Sequence, residues 1–224
     1  MSTEPNTAES VVVIDDHPLF RKGVCQLLAL DDAFRVVGEA GDGERGVELV
    51  RSLDPDLVLL DLNMKGMDGI ATLAAIKADM PHVRVIMLTV SDARDDLTAA
   101  IRAGADGYLL KDTDPEQVVE RLKRGMAGEL VVSDALAGAL MQALRAQVRG
   151  GDGRGGGDDP AASLTERERD ILRALAAGRS NKLIARELAI AEGTVKAHVA
   201  GIHRKLGVHS RAEAVSKAAD QNLL

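Results

Sequence analysis

Tryptophan is missing from this 224-residue chain, and Phe20, Phe34 and Tyr108 are its whole aromatic content. A core can still form, because 46 % of the residues are hydrophobic, but it has to be aliphatic. Global disorder is excluded at that composition. The single cysteine, Cys25, rules out an internal disulfide, and its setting, GVCQLL, is that of a helix residue packed into a core. No apolar run reaches the ~18 residues a membrane span needs. The first ten residues, MSTEPNTAES, are polar and partly acidic, unlike a signal or transit peptide. These absences predict a soluble, cytoplasmic protein with no membrane partner.

The net charge of −7 is unevenly spread. Residues 1–148 carry 15 Lys/Arg against 25 Asp/Glu, a net of −10. Residues 149–160 carry 2 against 3, and residues 161–224 carry 11 against 7, a net of +4. An acidic unit is therefore joined to a small basic one, and the acidic total does not exclude nucleic acid as a partner. The joint is RGGDGRGGGDDP, residues 149–160. Its six glycines resist helix formation and packing, which predicts a flexible tether with a random-coil span of ~20 Å.

Before the tether, short β-branched runs alternate with helical spacing. Strands are predicted at 11–15, 35–40, 56–61, 84–89 and 107–111. Helices are predicted at 18–30, 43–53, 69–80, 92–104 and 112–128, the last with Asp114 as N-cap and Pro115 in its first turn. Strands apolar on both faces and joined by helices imply a doubly wound (βα)5 unit with a covered parallel sheet. An amphipathic helix over 133–148 leads into the tether. Beyond it the pattern is all-α, with helices at 164–178, 181–190, 192–207 and 209–223. The first of these opens on a capping box, Thr165 with Glu168.

Ligands of open parallel α/β sheets collect beyond the carboxyl ends of the strands. At those ends stand Asp15 and Asp16, Asp61, Thr89 and Lys111. One such aspartate alone reads as a turn or cap residue, and Asp15 or Asp16 fits as a cap for the helix that follows. Five compatible residues at the ends of four strands point instead to one site. Three clustered carboxylates need a cation, and Mg2+ takes oxygen ligands while keeping waters that phosphoryl oxygens can replace. The chemistry that fits is phosphoryl transfer to a carboxylate, with Asp61 as nucleophile. Lys111 would neutralise one phosphoryl oxygen as a point charge, and Thr89 would donate a hydrogen bond to another. Tyr108, by itself, reads as a core residue of a strand.

The segments IDDHP, DLVLLDLNM, GMDG, LTVSD and GADGYLLKD resemble the receiver domain of two-component response regulators over residues 10–130, a flavodoxin-like fold. The resemblance implies that a sensor histidine kinase phosphorylates Asp61. It implies that Asp15, Asp16 and Asp61, with the backbone carbonyl of Asn63, hold Mg2+. It also implies that Thr89 and Tyr108 change position on phosphorylation and that Lys111 contacts the acyl phosphate. Most such receivers have proline where this chain has Lys65, so an amide N–H and a positive charge are gained there. Lys65 is either a solvated loop residue or a determinant of kinase choice or phosphoryl lifetime.

Residues 181–200, within SNKLIARELAIAEGTVKAHVAGIHRKLG, fit a helix-turn-helix frame whose second helix enters the major groove. Val195, Val199, Ile202 and Leu206 form its inner stripe, which leaves Thr194 and Lys196 on the exposed side. Lys196 could read guanine O6 and N7. Lys182, His198, His203, Arg204 and Lys205 could reach phosphates. The segment order is similar to that of LuxR/NarL-type DNA-binding domains over 164–224, which implies four helices, the third a reader and the fourth a dimer contact. Ala197 and Ala200 complete the expected DNA-facing set; close relatives often carry lysine where Ala200 stands, so a different or weaker sequence preference is expected.

The predicted organisation is a receiver at 10–130, a helix and linker at 131–160 and a LuxR-type domain at 161–224. The predicted function is a phosphorylation-controlled, DNA-binding transcription regulator that pairs as a homodimer on double-stranded DNA. Its whole-chain pattern is most similar to nitrate/nitrite response regulators. The rival reading, a phosphatase or phosphotransferase, would need a general acid near the nucleophile, and Asn63 stands two residues after Asp61. No separate enzymatic activity is expected.

Overall fold

A computed structural model describes residues 8–127, 129, 131–132, 136, 164–221 and 223. The first unit is built on a fully parallel sheet. Its strands are β1 (Glu9–Ile14), β2 (Phe34–Ala40), β3 (Leu57–Leu60), β4 (Arg84–Thr89), β5 (Gly107–Leu110) and β6 (Val131–Val132). Their spatial order is β2-β1-β3-β4-β5-β6. The helices are α1 (Pro18–Ala29), α2 (Gly43–Leu53), α3 (Gly69–Asp79), α4 (Arg94–Arg102) and α5 (Pro115–Met126). The five βα units match the sequence reading. The two-residue β6, which pairs Gly107 with Val131 and Tyr108 with Val132, was not foreseen. The helix expected over 133–148 and the tether at 149–160 lie outside the described residues, apart from Leu136.

Side chains alternate across the sheet, as the period of two requires. Val12, Ile14, Val58, Leu60, Val85 and Met87 enter one core with Val47, Leu73 and Leu97. Val11, Val13, Leu57, Leu59, Ile86 and Leu109 enter the other with Val24, Leu28, Val118 and Leu122. Burial on both faces leaves polar residues only at the strand ends. Because β1 sits between β2 and β3, the connections leaving β1 and β3 run to opposite faces, which opens a crevice above that pair. Asp15, Asp16 and Asp61 stand at that crevice.

The second unit comprises α6 (Glu166–Ala176), α7 (Asn181–Glu187), α8 (Glu192–Leu206) and α9 (Arg211–Asp220). The capping box is present: the Thr165 side chain accepts from the Glu168 amide while Glu168 accepts from the Thr165 amide. Ile171, Leu172, Leu175, Ile184, Val195, Val199, Ile202 and Leu206 form its core, including the inner stripe expected for α8. Gly207 ends α8 in the left-handed region (φ 61°), where a side chain would be strained.

Gly69, at the start of α3, is packed against the loop that follows Asp61. A Cβ there would lie 2.3 Å from the Asp61 carbonyl oxygen and 2.6 Å from Leu62 Cα, both backbone atoms. Gly69→Ala is expected to cost about 1–3 kcal/mol as the loop shifts, read as a lower urea midpoint; an unchanged midpoint would mean the loop yields freely.

Candidate phosphoacceptor site and candidate nucleic-acid interface

The acidic crevice is built from the ends of β1 and β3 and closed by a lysine from the end of β5. Asp15 and Asp61 are each 2 % exposed. Lys111 Nζ lies 2.8 Å from Asp15 Oδ2 and 2.7 Å from Asp61 Oδ2. It also sits 4.6 Å from the centre of the Phe20 ring, a cation–π contact that excludes water from one side. The Asp61 amide donates to the Ile14 carbonyl (2.9 Å), which continues the β1–β3 pairing to the aspartate itself. Burial pushes the Asp61 carboxyl above its ordinary pKa and nearby Asp15 adds to this, while Lys111 opposes both.

One ligand atom from each of Asp15, Asp16, His17 and Asp61 lies within 4.8 Å of all the others. Asp16 Oδ1 is buried and accepts no hydrogen bond from any described residue. His17 Nδ1 lies 2.9 Å from it, outside hydrogen-bonding geometry. An orphaned carboxylate oxygen beside two buried carboxylates fits a divalent cation with oxygen preference. The Asn63 amide approaches Asp61 Oδ1 at 3.4 Å, and the Lys65 amide approaches Asp16 Oδ2 at 3.4 Å. The amide that a proline would lack thus faces the acidic cluster, while the Lys65 side chain is exposed.

Thr89 and Tyr108 are both fully buried. They meet at Ser91, a residue that sequence reasoning missed: Thr89 Oγ1 accepts from the Ser91 amide (3.1 Å), and the Tyr108 hydroxyl donates to the Ser91 carbonyl (3.1 Å). The Ser91 hydroxyl in turn donates to Asp96 in the first turn of α4. Burial raises the Tyr108 hydroxyl pKa to about 12, so it stays protonated and a donor.

The expected DNA-facing residues divide sharply. Thr194, Ala197 and Arg204 are exposed, and His198, Ala200 and Lys205 are half-buried. Lys205 pairs within its own unit with Glu168 Oε2 (2.6 Å). Lys196, expected on the exposed side, is only 8 % exposed because α8 faces the first unit. Its Nζ donates to the Asp54 carbonyl (2.8 Å) and to Asp54 Oδ2 (3.1 Å), with Asp56 Oδ1 at 3.7 Å. Lys182 Nζ donates to the Ala8 carbonyl (2.6 Å), Asp56 Oδ2 (2.9 Å) and Glu9 Oε2 (3.2 Å). His203, expected to reach phosphates, is 1 % exposed. Burial works against ionised Asp56, but hydrogen bonds from Ser10 and Lys182 outweigh it and hold the carboxyl well below its ordinary range. Sequence reasoning passed over Asp54 and Asp56: the first falls between the predicted helix and strand, and the second opens the predicted strand 56–61. Beside Lys196 a cleft of about 550 Å³ is bordered by Arg51, Asp79, His82 and Ala200.

Residues 11–123 match the family described as response regulator receiver domain, and residues 162–218 match bacterial regulatory proteins of the luxR family. The nitrate/nitrite response regulator protein NarP of Escherichia coli (strain K12) is 50 % identical over 93 % of both chains. NarL of the same organism, also a nitrate/nitrite response regulator protein, is 46 % identical over 94 % of both. Among solved structures, the response regulator ChrA of a heme-sensing two-component system is 35 % identical, with a TM-score of 0.51 over 97 % of this chain and 100 % of that one.

A raised Asp61 pKa means that the folded state binds more protons than the unfolded state. Its ionisation therefore costs stability as pH rises from the unfolded carboxylate range through the folded pKa. Asp61→Asn without divalent cation is expected to unfold at higher urea than the parent at pH 7.5, and the advantage should shrink towards pH 4. A variant no more stable at pH 7.5 would show that Lys111 fully offsets the burial.

Proposed function

Because the chain belongs to the response regulators that join a receiver domain to a luxR-family DNA-binding domain, we propose that phosphorylation of Asp61 frees Lys182 and Lys196 from the receiver for DNA. The observation that carries this reading is the occupancy of those two ammonium groups by Asp54, Asp56 and Glu9. A lysine held by a carboxylate cannot at the same time meet a phosphate or a guanine edge. The proposed domains are the receiver at 10–130, a connecting segment at 131–160 and the DNA-binding unit at 161–224.

A sensor kinase's phosphohistidine is the donor. The phosphoryl group leaves the imidazole nitrogen, which takes a proton, and bonds to a carboxylate oxygen of Asp61. Mg2+ would be held by Asp15, Asp16, Asp61 and the Asn63 carbonyl, and when bound it supplies positive charge for the phosphoryl oxygens. Lys111 exchanges its Asp61 contact for a phosphoryl oxygen. Thr89 gives up the Ser91 amide and donates its hydroxyl to another, and Tyr108 follows Ser91. The chain's own role is acceptance and switching, with no separate enzymatic turnover.

The route to the second domain runs along α4. Ser91 is bonded to Asp96 in its first turn. Past its other end Gly104 abuts the second unit so closely that a Cβ there would lie 2.9 Å from the His209 carbonyl oxygen. Movement of Thr89 and Ser91 displaces α4, and with it the surface on which the second domain rests. Direct repulsion is a weaker route, since Asp61 and Asp56 stand at opposite ends of β3, roughly 17 Å apart along an extended strand. The shift acts by stabilising one arrangement over the other. Released units then pair as a homodimer on double-stranded DNA. The relatives' names point to nitrate/nitrite-responsive genes, and the cytoplasm is the proposed setting.

DNA binding by full-length protein with and without a small phosphoryl donor is the direct test. The donor should tighten binding at least 10-fold for the parent and leave Asp61→Asn unchanged; equal tightening of both would overturn Asp61 as the acceptor. In the unphosphorylated protein, Asp54→Asn with Asp56→Asn should tighten DNA binding about 10-fold. In the phosphorylated protein, Lys196→Ala and Lys182→Ala should each weaken it and lower the salt slope by about 1. DNA binding unmoved by the paired aspartate change would show that these contacts do not restrain the domain.

A further inference from the structure

At the amino ends of β4 and β5 the two units enclose a small cavity bordered by Arg84 and Asp106 of the first and by Asn181, His203 and Arg211 of the second. Its volume, about 10 Å³, is room for a single water-sized particle. The polar atoms around it are short of partners. Arg84 is 8 % exposed, and its Nη2 is buried with no hydrogen bond from or to any described residue. His203 is 1 % exposed, and both its ring nitrogens are equally unpartnered. The only acid at the cavity is already engaged: Asp106 Oδ2 accepts from Lys77 Nζ (2.6 Å) and from the Val85 amide (2.9 Å). Arg211 spends its guanidinium on the carbonyls of Leu175 (2.5 Å) and Arg179 (2.9 Å). Neither arginine forms an ion pair with a described residue.

Arg84, Arg211 and Lys77 outnumber Asp106, the one acid among the described residues lining the cavity, while Glu9 and Asp56 act on Arg84 only from outside it. Titration behaviour agrees with the geometry. Burial, with Lys77 adding to it, pushes the His203 pKa down to about 4. Burial and then Arg84 push Arg211 down to about 9. His82, at the edge of the same cavity, is lowered by burial despite its bond to Asp54. A buried cation without a counter-charge is costly.

We propose that this interdomain cavity is a binding site for one small monovalent anion of the size and charge of chloride, held by Arg84 from the receiver side and His203 from the DNA-binding side. A neutral imidazole supplies one N–H and the guanidinium a second, both to a ligand that needs no acceptor in return. A water could donate one hydrogen to the unprotonated ring nitrogen of His203 but would bring no charge to the Arg84 guanidinium, which an anion does. Because the ligands come from both units, the anion binds only when they are docked and so favours the docked arrangement. The inference rests on the closed form proposed above.

The test uses full-length protein carrying one fluorophore on each domain, with Cys25 replaced, in gluconate or chloride at constant ionic strength. Chloride at ten times its Kd should lower the open-to-closed ratio about 10-fold. Arg84→Gln and His203→Phe should each lose that dependence. The 35Cl line width of the parent, narrowed by competing bromide, reads occupancy without any variant. Closure that is equal in both salts, or line broadening kept by both variants, overturns the site and leaves water as its occupant. Failure to close in either salt overturns the closed form and this site together.

Discussion

The ammonium of Lys111 lies 2.8 Å from Asp15 and 2.7 Å from Asp61, and it sets a positive charge between two almost wholly buried carboxylates that would otherwise face each other directly. The parallel sheet forces this problem on the chain. Strands buried on both faces offer polar side chains only at their ends, and the crossing of β1 between β2 and β3 brings two such ends together. Lys111 serves Asp15 and Asp61, which leaves Asp16 with an oxygen that accepts no hydrogen bond from any described residue. The site is thus kept deficient in positive charge. That deficiency is what makes it receptive to a divalent cation and to a group that brings its own counter-ions.

The same economy of positive charge recurs where the two units meet, with the sign of the competition reversed. Lys182 and Lys196 are the residues of the helix-turn-helix frame best placed for a polyanion, and both are neutralised by carboxylates at the entry to β3. These acids occupy the lysines in the manner of phosphates: Asp56 reaches both ammonium groups, at 2.9 and 3.7 Å. In the proposed closed form the acidic character of the first unit is therefore part of what would restrain the second, beyond any general effect on solubility. Between the two sites lies α4, held at its start through Asp96 and followed by Gly104, which abuts His209.

Much of this was legible in the sequence, and the parts that were not share a cause. Apolar runs that stop at Asp61, Thr89 and Lys111 mark strand ends, and strand ends mark the crevice, so the acidic site could be read without coordinates. The capping box at Thr165 and the inner stripe of α8 were equally plain, because each is a local pattern. β6 was not, since two residues show no alternation and pair only because β5 has a free edge. Lys196 was placed on the outer face of its helix, which is correct within its own unit; it is buried because a second unit covers that face. His203 is hidden for the same reason. The roles of Asp54, Asp56 and Ser91 come from partners far away in sequence, and short polar residues at strand ends have an ordinary turn reading that hides them.

The lysine contacts between the units have a consequence for how the protein responds to its own abundance. Asp54 and Asp56 are joined to Lys182 and Lys196 by the same polypeptide, so the competitor that DNA must displace is present at a fixed effective concentration, on the order of millimolar for short connections. Making more protein does not dilute it. In the proposed mechanism the fraction of chains released does not depend on protein concentration, whereas occupancy of DNA rises with the number of chains released. Abundance and signal would therefore enter at different steps: the signal sets the released fraction, and abundance multiplies it.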